Sequence, residues 1–275
     1  MNLRERLHGG GPSRFAFGIT QYDEEVPGIP SELRVVISFL EYRINSLDDL
    51  DGRIRDDALC VVHAPDPAEA CLLDIVRRVA ALPGVAAVNA HARPDDEEWL
   101  CPGCYRRRNP STSTSASCTH CGEPDADQWR GTFPFAEACG RLQEAAGILS
   151  SAGKQLFIEN TCESPDLMAR VLSNVPGAGF TLDTGHSMLY GAGPDAYLAL
   201  LGDRLMHLHL HDNLGGDSEK LHDRHLTPGK GILDWTAFGE ELRRLRFRGT
   251  AVFECSPEHL PAPEWIRDWV RLVES

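Results

Sequence analysis

Residues 205–225 read LMHLHLHDNLGGDSEKLHDRH, and the fold turns on how the first seven of them are taken. His207, His209 and His211 alternate with leucines. On a β-strand alternate side chains share a face, so three imidazoles would line one surface. Asp212 and Asn213 close the strand, a Gly-Gly loop follows, and Asp223-Arg224-His225 brings a carboxylate and another imidazole to the same end. A lone histidine here reads most simply as a hydrogen-bonded polar group. Three on one face beside an Asp/His pair suit a hard or borderline divalent cation.

Working outward, apolar strands alternate with amphipathic helices. Arg14–Tyr22 (RFAFGITQY) and Val35–Ile44 (VVISFLEYRI) read as the first two strands. Ala58–His63 (ALCVVH) is a continuous apolar run, as a strand buried on both faces requires. Asp66-Pro67 is expected to open a helix with apolar Leu72, Val76 and Val79. Val85–Asn89 is the fourth strand, ending at His91. Further strands are expected at Leu156–Glu159, Phe180–Asp183, Leu205–His211 and Thr250–Glu254. Helices are expected over about Phe135–Ala152, from Ser164-Pro165, around Asp195–Leu201, from Asp234, and through Trp265, Ile266, Trp269 and Val273. Eight strands with intervening helices predict an α/β fold, a (β/α)8 TIM barrel. Setting aside 93–131 leaves about 236 residues, near the roughly 250 typical of that barrel. An open doubly wound sheet competes, but no GxGxxG loop follows the first strand.

In a barrel of this kind chemistry gathers where strands end. Strand three ends at His63, strand four at His91, strand five at Glu159, and strand six at Asp183 with His186 three residues on. Strand seven carries His209, its loop carries Asp223 and His225, and strand eight ends at Glu254. Six consecutive strands thus end in metal-ligand residue types.

The motifs FIENT (157–161), LDTGH (182–186), HLHDN (209–213), DRH (223–225) and the final FE (253–254) resemble the xylose-isomerase-like TIM-barrel superfamily. That superfamily includes endonuclease IV and the sugar phosphate isomerase/epimerase proteins. The likeness runs from about Ala58 to the end, excepting 93–131. For the isomerase/epimerase branch it implies one metal on Glu159, Asp183, His209 and Glu254. For the endonuclease IV branch it implies three Zn²⁺: one on His63, His91 and Glu159, a second on Glu159, Asp183, His209 and Glu254, and a third on His186, Asp223 and His225. His207 and His211 are left as supporting or core residues.

Because all nine positions carry a suitable residue, we expect a zinc-dependent phosphoester hydrolase with a trinuclear site, in which Mn²⁺ or Mg²⁺ could replace Zn²⁺. The alternative is a single-metal sugar or sugar phosphate isomerase/epimerase, with Glu159 and Glu254 as paired acid/base groups. A non-catalytic adaptor on a decayed barrel is a third class, against which the intact ligand set speaks. Departures from endonuclease IV point to a small phosphorylated or sugar-like substrate rather than duplex DNA. Ala-Pro-Asp-Pro follows His63 with no aromatic or basic wedge, Lys230 stands where relatives commonly carry Glu, and the formal charge is −14.

The stretch 93–131 is expected to be an insertion between barrel segments 1–92 and 132–275. Cys101-x2-Cys104 and Cys118-x2-Cys121 match the spacing of a four-cysteine zinc ribbon, holding a fourth, structural Zn²⁺. Arg106 and Arg107 beside it, with Lys230, are candidate substrate-binding groups. The other cysteines, Cys60, Cys71, Cys139, Cys162 and Cys255, read as small buried hydrophobes. At 42% hydrophobic the chain can bury a large core, and its apolar runs are too short to cross a bilayer. The N-terminus lacks the apolar core of a signal peptide, so a cytoplasmic protein is expected, with homo-oligomerisation left open.

Overall fold

The computed structural model describes residues 16–21, 37–54, 59–92, 99–100, 107–108, 134–161, 163–189, 192–215, 223–255 and 259–275. The barrel strands are β1 (Ala16–Gln21), β2 (Ile37–Arg43), β3 (Cys60–His63), β4 (Val85–His91), β7 (Gln155–Glu159), β8 (Gly179–Asp183), β9 (Leu205–Leu210) and β10 (Thr250–Phe253). They close in the order β1-β10-β9-β8-β7-β4-β3-β2, every neighbouring pair parallel. The expected barrel is therefore present, each strand within a few residues of its sequence reading. Between β4 and β7, β5 (Trp99–Leu100) and β6 (Arg107–Arg108) pair antiparallel. Cys101, Cys104, Cys118, Cys121, Arg106 and Cys162 lie outside the described residues, so the expected ribbon does too.

The helices are α1 (Leu47–Arg53), α2 (Leu72–Ala80), α3 (Phe135–Ser151), α4 (Pro165–Asn174), α5 (Thr184–Leu189), α6 (Gly193–Leu201), α7 (Trp235–Arg244) and α8 (Pro263–Glu274). Ser164 caps α4 by accepting from Leu167 N, and Asp234 caps α7 by accepting from Thr236 N and Ala237 N. The expected cap at Asp66 is not one. The second helix begins at Leu72, and the Asp66 carboxylate instead takes His91 Nδ1 at 2.7 Å, a stronger partner than a helix N-terminus offers. Among the described residues no helix is long and apolar enough to cross a membrane.

The main core fills the space between barrel and helices, with Val62, Val88, Ile158, Leu182 and Leu208 facing outward from the strands. A second, smaller cluster, including Ala16, Phe39, Val61, Ala87, Phe157 and Val252, fills the barrel lumen. Each fully buried residue of Val or Phe size contributes about 1.5–3 kcal/mol. Phe39 crosses so close to β1 that a Cβ at Gly18 would meet its ring at 2.7 Å. Under β4, the buried Lys154 ammonium donates to the carbonyls of Val79, Leu82 and Val85, tying the end of α2 to the start of β4. A buried charge is tolerated there because its donors are taken up. Cys60, Cys139 and Cys255 are buried thiols, as read from the sequence, while Cys71 is half-buried.

Candidate functional site

Strand alternation lifts the lumen from apolar to polar toward the C-terminal ends. Phe39 is followed two residues on by Glu41, Val61 by His63, Ala87 by Asn89 and His91, and Phe157 by Glu159. On β8 and β9 the register pairs Thr181 with His207 and Asp183 with His209, and β10 sets Val252 beside His209. Glu254 follows one step beyond β10. The Phe157 ring lies under the His207 imidazole, centroids 5.3 Å apart, so the polar layers rest on an aromatic floor.

Four side chains converge at the centre of the mouth. Glu159, Asp183, His209 and Glu254 each offer a ligand atom, all within 4.8 Å of one another, and all four are buried. His209 Nδ1 stands 3.0 Å from Glu254 Oε2, 3.4 Å from Glu159 Oε2 and 3.8 Å from Asp183 Oδ2. Glu159 Oε2 also takes Asn89 Nδ2 at 2.6 Å and His63 Nε2 at 3.1 Å. Its other oxygen, Oε1, is buried without a hydrogen-bond partner among the described residues, with His186 Nδ1 at 3.4 Å and His91 Nε2 at 3.7 Å. Three carboxylates, one imidazole and an orphaned buried oxygen fit a divalent cation, since a buried lone pair left unmet is costly.

The electrostatics agree with a ligand-ready site. Burial pushes the Glu159 carboxyl up, but His209 and His91 outweigh it and hold it well below the usual range. Burial likewise opposes ionisation of Glu254, and His209 overcomes it. His209 itself is raised well above the ordinary imidazole value, against burial, by Glu159, Glu41 and Glu254. A proton on His209 therefore stands in for positive charge the carboxylates call for, and a cation would displace it.

A second group lies nearer the rim. His211 Nε2 is 2.9 Å from Asp183 Oδ1, and Asp223 Oδ2 takes His186 Nε2 at 3.1 Å and His225 Nε2 at 2.8 Å. The His211 and His225 rings stack at 4.2 Å. Burial opposes the charge on Asp223, but hydrogen bonds from His186 and His225 hold it well below its usual range. His225 is lifted to about 9 against the effect of burial, chiefly by its bond to Asp223. It sits at φ 43°, a left-handed conformation uncommon outside glycine, while its Nδ1 reaches Glu254 O at 2.6 Å.

Below the centre, the Glu41 carboxylate bridges two imidazoles, Oε1 to His209 Nε2 and Oε2 to His207 Nε2, both at 3.0 Å. Burial would raise Glu41, yet His209 and His207 bring it down to about 2. His207, by contrast, is lowered by its own burial, against the pull of Glu41.

The mouth gathers His63, His91, Glu159, Asp183, His186, His209, Asp223, His225 and Glu254. Lys230 is exposed on the loop before α7, and of Arg107 only the backbone is described. Sequence reasoning missed Glu41, Asn89 and Asp66, and left His211 outside the ligand set. Glu41 had a signal: a carboxylate at an inward position of an otherwise apolar strand. Asn89 and Asp66 had none, because their roles depend on partners 70 and 25 residues away.

A family model described as xylose isomerase-like TIM barrel matches residues 126–275. D-psicose 3-epimerase of Enterocloster bolteae is 34% identical over 99 residues, covering 36% of this chain and 29% of that protein. The match thus spans under a third of that relative's length. A solved D-tagatose 3-epimerase-like protein superposes with TM-score 0.60 at 18% identity, covering 94% of this chain and 98% of its own. D-allulose 3-epimerase from Methylomonas sp. superposes with TM-score 0.59 at 14% identity, covering 95% and 96%. At these identities the superpositions speak for the fold.

These similarities overturn the expected phosphoester hydrolase, since the curated relative is a sugar epimerase. His63, His91, Asp223 and His225 had tilted the sequence reading toward a multinuclear hydrolase, but ligand residue types do not by themselves separate the two chemistries. These side chains pair with protein groups: His63 on Glu159, His91 on Asp66, and His225 on Asp223 and Glu254 O. His63 with Glu159 and His209, and Asp223 and His225 with His211, also form groups that could hold an ion.

Proposed function

This chain belongs to the xylose isomerase-like TIM-barrel family, and from that premise we propose that it is a divalent-cation-dependent sugar epimerase or isomerase, moving a proton at the carbon beside a ketose carbonyl. The observation that carries the reading is the convergence of Glu159, Asp183, His209 and Glu254 within 4.8 Å. These four would hold one cation. Three carboxylates with one imidazole suit Mn²⁺ or Mg²⁺ as well as Zn²⁺. Bound there, such a cation polarises a sugar carbonyl and acidifies the neighbouring C–H.

The proton work falls to the chain. Glu159 and Glu254 reach the centre from β7 and β10, with β8 and β9 between them in the ring. A small sugar lying across the mouth has a carboxylate on either side. One takes the proton from one face of the carbon, the other returns a proton to the opposite face, and the reverse reaction exchanges their roles. Asn89 and His63 fix the Glu159 carboxylate through Oε2. At the rim, His186, Asp223 and His225 offer donors and acceptors to sugar hydroxyls, with Lys230 on the same loop.

The test is solvent exchange. The protein is stripped of metal, reloaded with Mn²⁺, and incubated in D₂O with a panel of ketopentoses and ketohexoses. NMR is expected to show deuterium entering the carbon beside the carbonyl together with its epimer. Glu254→Gln and Glu159→Gln should lower that rate by about 10²–10⁴, with metal content measured alongside. Absence of deuterium from every ketose in the metal-loaded protein refutes the proposal.

A further inference from the structure

Glu41 is a fully buried carboxylate that the proton chemistry does not use. It sits on β2, while both its partners sit on β9, and β1 and β10 separate these strands in the ring. The contact is therefore made across the lumen rather than along the sheet. A carboxylate in a dry interior is expensive unless its oxygens are met: Glu41 Oε2 hydrogen-bonds His207 Nε2 at 3.0 Å, while Oε1 stands 3.0 Å from His209 Nε2 as an ion pair off the line of a hydrogen bond.

The two ring nitrogens of His209 face different things. Nδ1 faces Glu254, Glu159 and Asp183, the groups that would share a cation. Nε2 faces Glu41 Oε1 at 3.0 Å, with Asn89 Nδ2 farther off at 3.4 Å. An imidazole that gives a lone pair to a metal at one nitrogen carries its proton on the other, and an acceptor for that proton sets both tautomer and ring orientation. The neighbouring ring braces the acceptor. His207 Nδ1 lies 2.6 Å from Thr250 Oγ1 and 3.2 Å from Thr250 O, and its Nε2 lies 3.0 Å from Glu41 Oε2. Phe157 stacks on His207 from below.

We infer that Glu41 is a positioning residue: its charge, 3.0 Å from Nε2 across the barrel, favours the His209 proton on that nitrogen and so leaves Nδ1, with its lone pair, for the cation centre. The inference rests on the single-cation reading above. It assigns Glu41 no contact with substrate.

The experiment measures Mn²⁺ binding to metal-free protein by calorimetry, with thermal melting of each metal-free variant beside it. Glu41→Gln keeps the shape and removes the charge, and is expected to weaken Mn²⁺ binding by about 10–100-fold. Thr250→Val disturbs the same buried network through His207 without touching the Glu41–His209 contact, and is expected to stay within about threefold of the parent. Glu41→Gln within about threefold of the parent overturns the inference. So does an equal loss in Thr250→Val, because general loosening would then account for both. Should Glu41→Gln not fold, the Zn²⁺-loaded parent decides by long-range ¹H–¹⁵N spectra of its histidines. A proton on His209 Nε2 supports the inference, and a proton on Nδ1 overturns it. A parent that binds no cation refutes the proposed function and this inference with it, whereas a cation-binding parent indifferent to Glu41 refutes this inference alone.

Discussion

Asp212 offers a test of how the rim of the mouth is built. It is fully buried at the end of β9, and its two oxygens accept four hydrogen bonds. Oδ1 takes Asn213 N at 3.0 Å and Leu233 N at 3.2 Å, and Oδ2 takes Gly229 N at 3.0 Å and Trp235 Nε1 at 2.8 Å. Its backbone pairs with Leu226 in both directions, at 2.8 and 2.9 Å. The loop it gathers carries Asp223 and His225, and at Gly231 the chain passes so close that any side chain would collide with Asp212. Asp212→Asn keeps one accepting oxygen and turns the other into a donor facing two donors. One buried and one part-buried N–H group lose their partner, at up to about 1–3 kcal/mol each, or about 3 kcal/mol in all. For a chain of this size that is roughly 6–12 °C in Tm. Asp212→Ala strands all four donors and should cost more. The assay is thermal unfolding by circular dichroism on metal-free protein, with limited proteolysis to locate the loosened segment. Asp212→Asn melting within about 2 °C of the parent, with the loop no more susceptible to cleavage, would refute the reasoning.

Two further outcomes follow from the same geometry. Gly185→Ala places a methyl group on the His211 ring, which is wedged against Asp183 and His225, so the ring must leave its pocket. A loss of about 1–3 kcal/mol is expected, with a weaker affinity for Mn²⁺ through the disturbed Asp183, and a variant matching the parent in both would contradict the packing described. Burial lifts the Cys60 thiol from 9.0 to about 12, with Lys154 opposing. Between pH 9 and 12 the unfolded chain gives up this proton before the folded one, so stability falls as pH rises through that window. Cys60→Ala should flatten the alkaline limb of a stability–pH curve, and an unchanged slope would count against the assigned shift.

Much of this was legible in the residues, for reasons tied to particular elements. Parallel strands covered on both faces write themselves as apolar runs, which is why ALCVVH and VAAVN could be recognised without a structure. Alternation of period two put His207, His209 and His211 on one face, and strand ends marked His63, His91, Glu159, Asp183 and Glu254 as sharing one mouth. Asp66 shows where local signals mislead: Asp-Pro before an apolar stripe satisfies the pattern of a helix start, yet a histidine on the next strand competes for the carboxylate and wins.

The sequence by itself determined the barrel and the ligand residue types gathered at one end of it, because hydrophobic period and strand termini are local properties of the chain. Only the tertiary structure decided who meets whom. It brought Glu41 across the lumen to His209, set Asn89 and His63 on Glu159, and seated His211 against Asp183. Those pairings depend on ring closure and on the register of strands far apart in the chain, which no local pattern records.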